Sequence, residues 1–164
     1  MSNSVIIRDG KKEDMHQICK LIKELATYEN CESMDECKMT PERLIKDGFD
    51  TANPIFKSFV ADRNNQVIGY AIYFTSYSSW VGESIFLEDL YVDPQYRGEG
   101  IGEKLFKCVA KVAQQNDGKR MDWHCLAWNP SLKFYKKMGA RNITESESWN
   151  YLRLDGSDLD KLCE

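Results

Sequence analysis

Apolar residues in the first part of the chain recur at helical spacing, and in the middle they alternate or run together as strands do. Val5 to Arg8 predicts a short first strand. Ile18, Leu21, Ile22, Leu25 and Tyr28 then mark one face of a long amphipathic helix with Lys and Glu between them. Cys31 to Met39 reads as a loop, and a second helix follows in which Thr40 supplies a capping hydroxyl, Pro41 the first helical position and Gly48 the end. From Phe56 the period changes. Phe56 to Asp62 and Val67 to Tyr77, joined by the polar turn Asn64-Asn65, predict a hairpin, and Ser84 to Val92 a further strand stopped by Asp93-Pro94. A Gly-rich turn leads into a helix marked by Ile101, Leu105, Phe106, Val109, Val112 and Ala113. A strand from Met121 to Leu126, a short helix opened by Pro130 and ended by Gly139, and a last strand from Trp149 to Leu154 complete the pattern.

No repeat, linker or low-complexity tract interrupts this order, so one domain is expected over residues 1–164. No segment is apolar for the roughly 18 residues that would span a membrane, and the amino terminus lacks a basic region followed by an apolar run, so a cytoplasmic address without membrane partners is expected. The six cysteines are scattered without CxxC spacing and only two histidines accompany them, which predicts reduced thiols and no metal site. A net charge of -4 argues against nucleic acid as the main partner, because neutralising phosphates takes clustered Lys and Arg.

The candidate chemistry begins at Arg97-Gly98-Glu99-Gly100-Ile101-Gly102. Glycine lets a ligand approach main-chain N–H groups without a β-carbon in the way, and at a helix amino terminus those groups favour an anion such as a pyrophosphate. The GxxxxGK[ST] of a P-loop is absent, and the glycines fall as GxGxG rather than the GxGxxG of a dinucleotide site. By itself the turn could also be a plain strand-to-helix connection.

Beyond the turn, the chain resembles the GCN5-related N-acetyltransferases, and within them the spermidine/spermine and thialysine branch. The matching residues are Leu21-Ile22-Lys23-Glu24-Leu25-Ala26 with Tyr28-Glu29, Asp47-Gly48-Phe49, Leu87-Glu88-Asp89, Tyr96-Arg97-Gly98 with Gly100-Ile101-Gly102, and Phe134-Tyr135 with Gly139-Ala140. The resemblance implies an α/β (α+β) fold with a single mixed, mostly antiparallel central sheet flanked by helices. It also implies acetyl-CoA as cosubstrate, a small primary amine as acceptor and a homodimer.

It further implies residue roles. Glu88 would be the base, since a primary amine with pKa near ~10 is almost wholly ammonium at neutral pH. Tyr135 would be the general acid that protonates the departing sulfur, although Phe134 and Tyr135 also suit the core of a short helix. Main-chain groups of Leu90, Tyr91 and Val92 would pair with the pantetheine arm, and Gly98, Glu99, Gly100, Ile101, Gly102 and Glu103 would hold the pyrophosphate. Arg97 would be either a phosphate contact or a surface charge. Asn129, Pro130 and Ser131 would be further coenzyme contacts, in a loop one residue shorter than the family's. Tyr28, Glu29, Asp89, Asp122, Trp123 and His124 would line the amine site together with Glu88, and strand alternation is expected to send Glu88 and Asp89 to opposite faces. The loop Tyr77-Ser78-Ser79-Trp80 has serines where polyamine enzymes carry Asp-Pro, which points to thialysine or a lysine-like amine. Diamines and polyamines are the alternative, and a protein N-acetyltransferase or a non-catalytic acyl-CoA-binding module the rivals of another class.

Overall fold

The computed structural model describes residues 4–29 and 37–163. These fall into two compact units that divide after Leu126. In the first, a sheet of five strands has the order β1-β2-β3-β4-β5: β1 Ile6–Asp9, β2 Lys57–Arg63, β3 Gln66–Ser78, β4 Gly82–Val92 and β5 Met121–Asp122. The first four are antiparallel neighbours, and β5 alone runs parallel, to β4. The expected mixed, mostly antiparallel sheet is what forms. Asn64 and Asn65 both take positive φ, the geometry a two-residue hairpin needs, so the β2–β3 turn lies where the polar pair predicts it.

Helices α1 Met15–Tyr28 and α2 Pro41–Gly48 cover one face. Thr40 Oγ1 accepts from the Arg43 N–H at 3.2 Å, the cap read from the sequence. Met15, Ile18, Leu21 and Leu44 pack there with Val60, Tyr70, Ile72 and Tyr91. Helix α3, Ile101–Gln115, lies on the opposite face and buries Leu105, Phe106 and Val109. At the rim, Arg8 of β1 pairs with Asp14, just ahead of α1, and with Asp62 of β2, both at 2.7 Å. Burial raises the Asp14 carboxyl, but its bonds from Arg8 and the Lys11 N–H outweigh this and hold it below the usual carboxylate range.

The pairing of β3 with β4 is broken at one point. Ile72 faces Asp89 while Tyr73 faces Leu87, so Glu88 is an extra residue, a β-bulge. The expectation that Glu88 and Asp89 point to opposite faces is therefore corrected: Leu87 and Leu90 go to the α3 face, and both acids lie between them on the face shared with Ile72. Alternation fails because the bulge adds one residue to β4 without adding one to its partner.

After Leu126 the structure departs further from the expected pattern. The strand predicted from Met121 to Leu126 is only Met121–Asp122. Helix α4, Ser131–Lys137, forms and ends near Gly139 as predicted, with Gly139 at φ 96°. Residues 149–154, expected as a last strand, are not a strand in the structure. They are irregular and exposed, with Trp149 at 57% and Leu152 at 85%, and short helices α5 Ile143–Glu147 and α6 Gly156–Leu162 flank them. Alternation of apolar and polar residues supplies a strand's faces but not the neighbour whose N–H and C=O groups complete it.

Arg8→Ala is expected to lower the unfolding free energy by about 2 kcal/mol at about pH 7, because it leaves two close carboxylates without their cation. Asp14 is held below its unfolded value, so this stability is present at neutral pH and is lost as pH falls through the folded value. Denaturant titrations at about pH 7 and about pH 3 check both statements, with the wild-type advantage shrinking in acid.

Candidate active site

The last residues of β4, the turn after them and the end of α1 lie side by side. Asp93 closes β4, and its carboxylate accepts from the Gln95 N–H at 2.9 Å, starting a short 3-10 turn at Pro94–Tyr96. Arg97 follows, and Gly98 and Gly100 take φ of 85° and 73°, which L side chains rarely adopt. Nothing crowds the space a β-carbon would occupy at either glycine, so the backbone there stands open. Gly100 is the N-cap of α3, and the first amides of that 15-residue helix lie directly beyond it.

Two acids follow Gly98 around the start of α3, and both are neutralised. Glu99 pairs with Arg63, whose guanidinium also lies 5.0 Å from the centre of the Tyr96 ring, and Glu103 pairs with Lys107 at 2.6 Å. What the turn offers an anion is therefore main chain. An open glycine backbone at a helix amino terminus fits a pyrophosphate.

Beside the turn lies a group of carboxyls from α1 and β4. Asp89 is partly buried, and burial first, then the Glu88 charge, push its carboxyl up to about 6. Glu29 adds to that push, while a hydrogen bond from the Tyr70 hydroxyl, at 3.1 Å, opposes it. Tyr70 is fully buried, and burial with the adjacent Asp89 charge raises its hydroxyl well above the usual range, so it stays a donor. Glu29 is itself raised by burial. The charges of Glu29 and Glu88 thus both bear on Asp89, an environment that favours a cation.

Tyr28, 37% exposed, lies under the Arg97 guanidinium. Tyr91, expected to contribute only main chain, also packs its ring against Tyr70, with centroids 6.4 Å apart. Asp122 is tied to Arg120 at 2.8 Å, Trp123 lies edge-on to Phe106 of α3, and His124 lies edge-on to Phe86 of β4. In the second unit, Asn129 is buried and its side-chain oxygen accepts from the Ser131 N–H at 2.9 Å, which opens α4. Tyr135 is buried beside Phe134, with ring centroids 5.2 Å apart. Sequence reasoning missed Tyr70. The signal was there: a tyrosine between Ile68 and Ile72 in a buried strand needs a partner for its hydroxyl.

A mixed sheet whose fourth strand ends on a glycine turn at the start of a helix is the frame of an acetyl-transferring enzyme. The chain belongs to the Acetyltransferase (GNAT) family, whose model matches residues 17–140. It is 39% identical over 168 residues to the thialysine N-epsilon-acetyltransferase of Sus scrofa, with 97% of each chain covered. It is 34% identical to the spermidine/spermine N(1)-acetyltransferase-like protein 1 of Homo sapiens, over 93% of this chain and 23% of that protein. Among solved structures, an integron cassette protein from the mobile metagenome of V. cholerae aligns with a TM-score of 0.78 at 26% identity, covering 99% of both chains.

The raised Asp89 has a consequence for stability. Its folded value of about 6 lies above the ordinary 3.8, so the native state holds that proton more tightly, and the stability this contributes in acid is lost as pH rises through about 6. Asp89→Asn keeps an acceptor for Tyr70 and removes the cost. Its unfolding free energy is expected to exceed the wild type's by about 1–2 kcal/mol at about pH 7 and to converge with it toward about pH 4, read by urea titration.

Proposed function

We propose that this chain transfers the acetyl group of acetyl-CoA to the primary amine of a small molecule, thialysine or a lysine-like amino acid at its side-chain nitrogen. The observation that carries this reading is the gathering of Glu29, Glu88 and Asp89 beside a strand that ends on an open glycine turn. Acids there suit an ammonium, and the turn suits a pyrophosphate. Near full-length similarity to a thialysine enzyme and the Ser78-Ser79 loop support the choice of amine.

In this reading the backbone of residues 98–103 holds the coenzyme's phosphates, and that of Leu90 to Val92 its pantetheine arm. The coenzyme brings an activated acetyl thioester. Glu88, exposed at the bulge, takes the proton of the bound ammonium directly or through water, and Asp89 with Glu29 holds the cation. Tyr135 supplies a proton to the departing sulfur. Asn129, whose side-chain oxygen holds the Ser131 N–H at the start of α4, is a coenzyme contact together with Pro130 and Ser131. Asp122, Trp123 and His124 line the amine side. The family match crosses the division after Leu126, which supports one catalytic domain over the whole chain. A cytoplasmic homodimer completes the reading, resting on the family resemblance and on the cysteines among the described residues, which are free thiols. A diamine or polyamine acceptor is the second reading, favoured by three acids in one place and by the human spermidine/spermine-like relative.

Comparing kcat/KM for thialysine, lysine, putrescine and spermidine separates the two. A preference for thialysine is expected, and a clear preference for spermidine sinks the first choice. Tyr135→Phe is expected to lower kcat by about a hundredfold with little change in either KM. Retention of wild-type kcat across the pH range would remove Tyr135 from its role.

A further inference from the structure

Arg97 follows the 3-10 turn and precedes the first glycine, yet its side chain turns away from the glycines. Its Nε–H donates to the Val92 carbonyl at 2.9 Å. Its guanidinium carbon lies 5.3 Å from the ring centre of Tyr28 and 5.4 Å from that of Tyr91. The three contacts come from the last two residues of β4 and the last residue of α1. A planar guanidinium can make all three together, two through its faces and one through its edge.

Tyr28 is the last residue of α1, and Glu29 is its C-cap, with its N–H bonded to the Leu25 carbonyl at 2.9 Å. Tyr28 is over a third exposed, and the Arg97 guanidinium covers its ring. What holds Tyr28 also fixes where the chain presents Glu29 to Asp89 and Glu88. We propose that Arg97 is a positioning residue for the amine end of the site, acting through Tyr28, rather than a ligand of the coenzyme phosphates. The inference rests on the reading that the amine binds beside Glu29, Glu88 and Asp89. It ties the coenzyme turn to the amine side through one side chain.

The test uses two acetyl donors, acetyl-CoA and S-acetyl-N-acetylcysteamine, which carries the thioester but no phosphate. Arg97→Gln is expected to raise the amine KM about three- to tenfold with both donors, with kcat and the KM for acetyl-CoA changed less than about twofold. Combining Arg97→Gln with Tyr28→Leu should raise the amine KM no further than Tyr28→Leu alone, and Arg97→Lys should recover part of the loss. Amide hydrogen exchange in the last turn of α1, measured by mass spectrometry, should quicken in Arg97→Gln. A defect confined to the KM for acetyl-CoA and absent with the short donor overturns the proposal, as do additive effects with Tyr28→Leu or unchanged exchange. If the wild type acetylates none of the amines, the proposed function fails, and the exchange measurement still decides whether Arg97 holds Tyr28.

Discussion

One unpaired residue in β4 organises the site. Because Glu88 has no partner on β3, every side chain after it exchanges faces relative to an unbroken ladder. Leu90 and Val92 are delivered to the α3 side, where Val92 lies near Leu105 across Gly69. Asp89 and Tyr91 are delivered to the α1 side, where they meet Tyr70, Glu24 and Glu29. Without the bulge, Leu90 and Val92 would turn to the α1 side and Asp89 would face the α3 core. The bulge thus puts two acids on one face and a packed helix interface on the other face of one strand.

Electrostatics around this strand are divided by place rather than by net charge. Acids collect where Glu29, Glu88 and Asp89 meet, while those near the glycine turn are cancelled by Arg63 and Lys107. A chain of net charge -4 therefore carries a charge-balanced glycine turn a short way from an acidic patch. Tyr70 belongs to the same division, because its buried hydroxyl lends Asp89 one hydrogen bond against the cost of burial.

Legibility in the sequence followed the range of the interactions involved. The caps, the Asn64-Asn65 turn and the periods of α1 and α3 are local, set by a residue and its near neighbours, and they lie where the pattern predicts them. Trp149 to Leu154 has a strand's alternation, but a strand exists only when another edge pairs with it, and local pattern carries no information about that edge. The same holds at Met121, where the ladder closes after two residues and Trp123 and His124 pack edge-on against Phe106 and Phe86.

By itself the sequence determined the family, the order of elements through α4 and the glycine turn that suits a pyrophosphate. Each is written in residue type and spacing, which survive without knowledge of the fold. Only the tertiary structure decided that Glu88 and Asp89 share a face, that Tyr70 supports Asp89, and that Arg97 stacks on Tyr28 and Tyr91. Those arrangements depend on register between strands and on contacts between residues far apart in the chain, and a one-residue slip reverses them while leaving every local signal unchanged.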